Sequence, residues 1–164
     1  MDMPGMEYVG KEDLPALREF ARPIWTETFY PMMPRHSADF VFDAWVNVEN
    51  LSRMIDEGYR MGYVLEHGER VGWFAFSVSG DTLHISKLYL RGDSEGKGIG
   101  SRILNAMMDI ARSEGASRAD LNVYRTNERA KRTYERNGFV EIRREVEQLT
   151  EDVVRDDIVY GRPL

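Results

Sequence analysis

The chain has 164 residues, 42% of them hydrophobic, with 22 Lys plus Arg against 28 Asp plus Glu and a formal net charge of -6. That length fits one domain over 1–164 with a sizeable core, and the acidic balance argues against nucleic acid or an anionic membrane as partner. It suits a cationic substrate such as an amine, although acidity also serves solubility alone.

No cysteine is present, which excludes disulfides, thiolate nucleophiles and cysteine-ligated metals, and three scattered histidines predict no metal site. The opening MDMPGMEYVG lacks a basic segment followed by a long apolar run. No window approaches the roughly 18–20 apolar residues of a membrane span, so the expected location is cytoplasmic.

In chain order, Met6 to Val9 reads as a short strand. Glu12 and Asp13 ahead of Leu14-Pro15 mark a helix start, and Leu14, Leu17, Ala21 and Ile24 continue it on one face; Pro23 is expected to kink or end it. After a loop bracketed by Pro31 and Pro34, the spacing of Phe40, Val41, Ala44, Trp45 and Val48 predicts a second helix. Leu51, Met54 and Ile55 carry that pattern on to Gly58. From Phe20 to Tyr59 the chain is rich in aromatics, which at helical spacing either pack a core or line a substrate pocket.

From Tyr59 the texture changes to strands. Tyr59 to Glu66, Val71 to Val78 and Thr82 to Leu90 predict an antiparallel meander with short loops at His67-Gly68-Glu69 and Ser79-Gly80-Asp81. In the third strand Leu83 and Ile85 are apolar at odd positions, but Leu88 and Leu90 are apolar at even ones. Either one extra residue near Ser86 or Lys87 forms a β-bulge, or the strand is buried on both faces. A bulge leaves backbone groups unpaired, free to bind an extended ligand.

The segment from Leu88 to Ala111, LYLRGDSEGKGIGSRILNAMMDIA, passes from that strand through a glycine cluster into a helix. Gly96, Gly98 and Gly100 alternate beside Ile99, Ile103, Met107 and Ile110, which mark one helical face. Glycines let backbone N–H groups approach a ligand, and a helix N-terminus adds unpaired donors and partial positive charge, so the turn reads as a phosphate site. It lacks the Gly-Lys-Ser/Thr ending of a Walker loop, and it follows a meander instead of opening a βαβ unit as a Rossmann fingerprint does.

The helix is expected to stop at Gly115. Leu121 and Val123 alternate with Asp120 and Asn122, giving a strand that can run parallel to the one before the helix. Asn127 caps a helix through Arg136, closed by Asn137-Gly138 and Phe139, and two strands near Phe139 to Glu147 and Asp156 to Arg162 follow. Arg125, Arg129, Lys131, Arg132 and Arg136 form a basic cluster, either a solvated helix face or a phosphate contact. Asn127 and Tyr134, about two turns apart, project from one side of their helix.

LYLRGDSEGKGIGSRIL followed by NERAKRTYERNGF resembles the GCN5-related N-acetyltransferase (GNAT) superfamily, whose acetyl-coenzyme A motif reads Arg/Gln-x-x-Gly-x-Gly/Ala at the start of the central helix. The ending DDIVYGRPL and the early TETFYPMM resemble, loosely, its polyamine N-acetyltransferase-like branch. The resemblance implies an α+β fold with a central twisted mixed sheet of about seven strands, mostly antiparallel, flanked by about four helices. It also implies an acyltransferase: an N-acetyltransferase moving acetyl from acetyl-CoA to a primary amine by direct attack in a ternary complex, without a metal. The acceptor is a small molecule, a polyamine or a protein N-terminus.

Carried onto this chain, the resemblance implies that the backbone from Leu88 through Tyr89 to Leu90 binds the pantetheine arm. A backbone N–H at the bulge, that of Leu88 or Leu90, then stabilises the developing oxyanion, with Leu88 taken as the catalytic one. The turn Glu95, Gly96, Lys97, Gly98, Ile99, Gly100 and Ser101 holds the pyrophosphate. Asn127 bonds the pantetheine, Arg136 and its basic neighbours suit the 3′-phosphate, and Tyr134, with a reference pKa of about 10, protonates the leaving thiolate.

Glu95 stands where the family has Arg or Gln. A like-charge pair at about 4 Å costs up to roughly 4 kcal/mol near a protein surface, so Glu95 must point away or be neutralised. If it spoiled the site, the chain would be a coenzyme A-binding module without transferase activity. The base that deprotonates the acceptor is left open between Glu27, His84 and ordered water. Exposed strand edges near the C-terminus predict a homodimer.

Overall fold

The structure, a computed structural model, describes residues 5–164; residues 1–4, part of the opening segment read for a targeting signal, lie outside the described residues. Its elements are β1 (Met6–Tyr8), α1 (Leu14–Phe29), α2 (Arg35–Trp45), α3 (Val48–Asp56), β2 (Arg60–Glu66), β3 (Glu69–Ser79), β4 (Thr82–Leu90), α4 (Ile99–Ser113), β5 (Arg118–Tyr124), α5 (Glu128–Arg136), β6 (Val140–Gln148) and β7 (Val154–Pro163). The strands form one seven-stranded sheet in the order β1-β2-β3-β4-β5-β7-β6. Among the described residues only the β4–β5 pair is parallel, because α4 returns the chain between them. This is the expected α+β architecture.

Two local expectations differ from the outcome. The second predicted helix is two, because Asn47 interrupts it: its side chain caps α3 by accepting the Asn50 N–H at 2.7 Å, while Val46 at the break is fully buried. Pro23 neither ends nor shortens α1, which runs on to Phe29. The proline ring faces solvent, and Leu17, Ala21, Ile24 and Trp25 stay buried on either side of it, so packing offsets the lost backbone hydrogen bond.

Each face of the sheet carries its own core. On one, Phe74, Phe76, Leu83 and Ile85 pack under Ile103, Leu104 and Met107 of α4. On the other, Met61, Tyr63 and Trp73 pack under Leu14, Leu17, Ile24 and Leu51 of the N-terminal helices. Full burial of one such side chain contributes about 1.5–3 kcal/mol, so both layers are firmly docked. Among the described residues, no helix is long and apolar enough to cross a membrane.

The slip of alternation in β4 is a bulge. Ala75 faces Lys87 and Phe76 faces Ile85, which leaves Ser86 without a partner on β3. On its other edge β4 pairs with β5 only from Thr82↔Arg118 to Ile85↔Leu121. Beyond the bulge the two strands separate, and the sheet opens between Ser86–Leu90 and Asn122–Tyr124.

Candidate active site

The open stretch of β4 leads directly into the glycine turn. Gly96 and Gly98 have φ of +79° and +77°, a left-handed conformation that side chains disfavour, so glycine is required there by the backbone itself. Gly98 is the N-cap of α4 and supplies no side-chain cap, while the first intrahelical bond runs from Arg102 N–H to Gly98 C=O at 3.1 Å. The N–H groups of Ile99, Gly100 and Ser101 therefore face out of the helix end as an anion cradle. A cleft of about 400 Å³ lies over it, lined by Leu88, Leu90, Gly96, Gly98, Gly100 and Ser101 on one side and by Asn127, Arg129, Arg132, Tyr134 and Arg136 of α5 and its cap on the other.

Backbone direction along β4 follows from one bond. Arg91 N–H donates to Val71 C=O at 2.8 Å on the β3 side. Since strand amides alternate, those of Tyr89 and Lys87 also face β3, and those of Leu90 and Leu88 face the opening toward β5. The unpaired N–H groups are thus the two assigned to the pantetheine and the oxyanion.

Tyr134 closes the far wall. Its ring packs edge-on against Phe139, with centroids 5.9 Å apart, and burial raises its pKa to about 12. It lines both the cleft and a small gap of about 40 Å³ between the parted strands. Asn127 lines both as well, and its Oδ1 accepts the Ala130 N–H at 3.3 Å, so capping and site lining are served by one residue.

On the opposite face the gap shares Lys87, Tyr89 and Tyr124 with a cavity of about 300 Å³, lined also by Trp25, Phe29 and Trp45, with His84, Arg155 and Asp157 among its charged or titratable groups. Tyr89 borders the cleft, the gap and the cavity alike. The three spaces thus share walls from one face of the sheet to the other, with the glycine turn and the arginines of α5 at one end and aromatic side chains at the other.

Several residues named from the sequence take other positions. Ile99 is buried in the core, and Lys97 is exposed outside the cleft, so only their backbones belong to the turn. The Tyr89 side chain points to the aromatic face, against Trp25 and Trp73. Glu95 lines the cleft but is neutralised by Arg129, at 2.9 Å. Burial raises its pKa while Arg129 opposes the shift.

Of the basic cluster, Arg129, Arg132 and Arg136 line the cleft, whereas Arg125 pairs with Asp156 and Lys131 with Glu128. Glu27 sits against Gly92 and lines none of the three spaces. His84 is held by Asp120 at 2.6 Å and borders the outer cavity, not the gap. Trp25, Phe29 and Trp45 are among the aromatics whose helical spacing fits core or pocket alike, and Lys87, Tyr124 and Asp157 carry no signal in the sequence beyond the place of Lys87 at the bulge.

Residues 14–139 match the acetyltransferase (GNAT) family. An uncharacterised N-acetyltransferase of Mycobacterium tuberculosis is 31% identical over 108 residues, covering 65% of this chain and 69% of that protein. Among solved structures, the PaiA N-acetyltransferase of Thermoplasma acidophilum in complex with coenzyme A superposes with a TM-score of 0.78 at 20% identity, covering 97% of this chain and 98% of the other. The ribosomal-protein-S18-alanine N-acetyltransferase of Escherichia coli gives 0.70 at 19% identity, covering 96% and 92%. The chain belongs to the acetyltransferase (GNAT) family. It is an N-acetyltransferase that depends on acetyl-coenzyme A.

Proposed function

We propose that the protein, a single GNAT domain over 1–164, transfers acetyl from acetyl-CoA to a primary amine through the opening in its sheet. The acceptor class comprises small-molecule amines, polyamines and peptide N-termini. The observation that carries this reading is that three spaces share walls in sequence: the cleft over the α4 N-terminus, a gap flanked by Leu88 and Tyr134, and an aromatic cavity beyond, with Tyr89 lining all three.

In this reading the N–H groups of Ile99, Gly100 and Ser101 hold the pyrophosphate, helped by Arg132 and Arg136. Leu88 and Leu90 hold the pantetheine arm as a neighbouring strand would, and Asn127 supports it from the α5 side. Bound there, acetyl-CoA supplies an activated acyl group. Leu88 N–H is directed at the carbonyl oxygen, where negative charge develops as the amine bonds to carbon. Tyr134, kept protonated by burial, delivers its proton to the departing sulfur.

Because Arg129 compensates Glu95, the carboxylate in the turn does not by itself argue for a module without activity. A cytoplasmic location and a homodimer complete the proposal; the outer edge strand β6, with Val140 63% and Val146 60% exposed, supports the second.

The test is free-thiol release from acetyl-CoA across a panel of polyamines, amino acids and peptide N-termini, with acetylated product identified by mass. Release with at least one amine is expected. Coenzyme A binding without transfer to any of them would overturn the reading in favour of a binding module.

A further inference from the structure

Of the residues that line the gap between the parted strands, Lys87 alone carries a charged side chain, and it also lines the aromatic cavity. The bulge puts it there. In an uninterrupted strand Lys87 would share a face with Ile85 and enter the α4 core. With Ser86 as the extra residue, Lys87 pairs with Ala75 on the opposite face, where Trp73 and the N-terminal helices lie, while Leu88 takes the α4 face.

Lys87 is surrounded by uncharged helix residues on one side and by paired polar groups of the strands on the other. From the helices the cavity receives Trp25, Phe29, Ser37, Val41 and Trp45, none of them charged. On β7, Asp157 accepts from Arg155 at 3.0 Å, and Arg155 also reaches Glu145 and Glu147. On β4 and β5, His84 is occupied by Asp120, and Tyr89 is held neutral because burial drives its pKa upward; Tyr124 and Tyr134 complete the titratable groups around the gap. Lys87 is half-buried and lines both the gap and the cavity, and desolvation lowers its pKa to about 8 against the pull of Asp157. A lysine so placed is neutral for an appreciable part of the time and remains a base.

We propose that Lys87 is the catalytic base that takes the proton from the acceptor ammonium at the mouth of the gap. This assignment rests on the acetyl transfer proposed above. The acceptor N–H bond breaks toward the Lys87 Nζ lone pair, and the freed pair on nitrogen forms the bond to the acetyl carbon. The C–S bond breaks with its electrons on sulfur. Two protons leave the nitrogen in all: one goes to Lys87 and on to solvent, and the other balances the proton that Tyr134 gives to sulfur. His84 is set aside because it does not reach the gap, and Glu27 because it lies on the phosphate side against Gly92.

The experiment compares wild type, Lys87→Met and Lys87→Arg with a primary amine whose own pKa is well above 8. Loss of a base costs about 10²- to 10⁴-fold in rate. Both variants are expected to lose kcat/KM on that scale while binding coenzyme A as tightly as wild type by calorimetry. The wild-type profile of kcat/KM is expected to rise with pH through an apparent pKa near 8. That limb disappears in both variants, and added trimethylamine, a base that cannot be stably acetylated, partly restores Lys87→Met. Arginine keeps the charge but cannot give up its proton. Activity retained in Lys87→Arg, or a limb near 8 persisting in either variant, would overturn the role of Lys87 while leaving the transferase reading intact. No transfer by wild type would instead overturn the transferase reading.

Discussion

Arg129 on α5 is paired with Glu95 in the glycine turn at 2.9 Å, so the carboxylate that lines the cleft is held by an arginine of the opposite wall. The pair binds two walls of the cleft to each other and spends one of three cleft arginines on an internal charge.

A double-mutant cycle on this pair should show strong coupling. Glu95→Gln removes a negative charge from the proposed pyrophosphate site and frees Arg129, so coenzyme A is expected to bind about 3- to 10-fold tighter, the scale of a partly exposed ion pair. Arg129→Ala leaves Glu95 uncompensated and is expected to weaken binding by about ten-fold. Calorimetric titration of the two single variants and the double variant checks this, and near-additive effects would show that the two side chains do not act as a unit.

Tyr134→Phe keeps the ring that packs on Phe139 and removes only the hydroxyl. Turnover is expected to fall by about 10²-fold with coenzyme A affinity and Tm nearly unchanged. Since burial holds the hydroxyl near pKa 12, no loss of activity from tyrosine ionisation is expected below about pH 10. A steady-state comparison at pH 8 decides whether the hydroxyl takes part.

Deleting Ser86 separates the gap from side-chain direction. Lys87 and Leu88 keep their present faces, because Ile85 and Lys87 then become neighbours in an ordinary ladder. The strand loses the extra residue at the point where β4 leaves β5, so turnover is expected to collapse while circular dichroism and cooperative unfolding persist. Full activity in the deletion variant would mean that the bulge is not what parts the strands.

Lys87 also predicts a cost in stability. Its folded pKa lies below its unfolded value of 10.5, so between about pH 8 and 10.5 the unfolded chain binds more protons and stability rises with pH. Below pH 8 both states are protonated and the folded state carries the whole penalty of the buried charge. Lys87→Met is therefore expected to raise Tm by about 5 °C at pH 7, as about 1 to 2 kcal/mol does in a domain of this size. The advantage should shrink as pH rises through that window, as differential scanning calorimetry across pH would report.

Much of this protein was determined locally and could be read along the chain. The glycine turn, the Asn127 cap, the Gly115 and Gly138 stops and the slip between Ile85 and Leu88 are each set by near neighbours: a positive φ, an orphan amide, a change of parity. Tertiary structure alone decided the rest. Whether Glu95 spoils the cradle depends on Arg129, 34 positions away and brought close only when α5 docks on the turn. The insertion of β7 between β5 and β6, and the parting of β4 from β5, are properties of strand pairing across long separations. Lys87 shows the division most clearly. The bulge that turns it was visible in the sequence, but the aromatic walls beside it come from α1, α2 and β5, and only their packing takes that lysine out of bulk water.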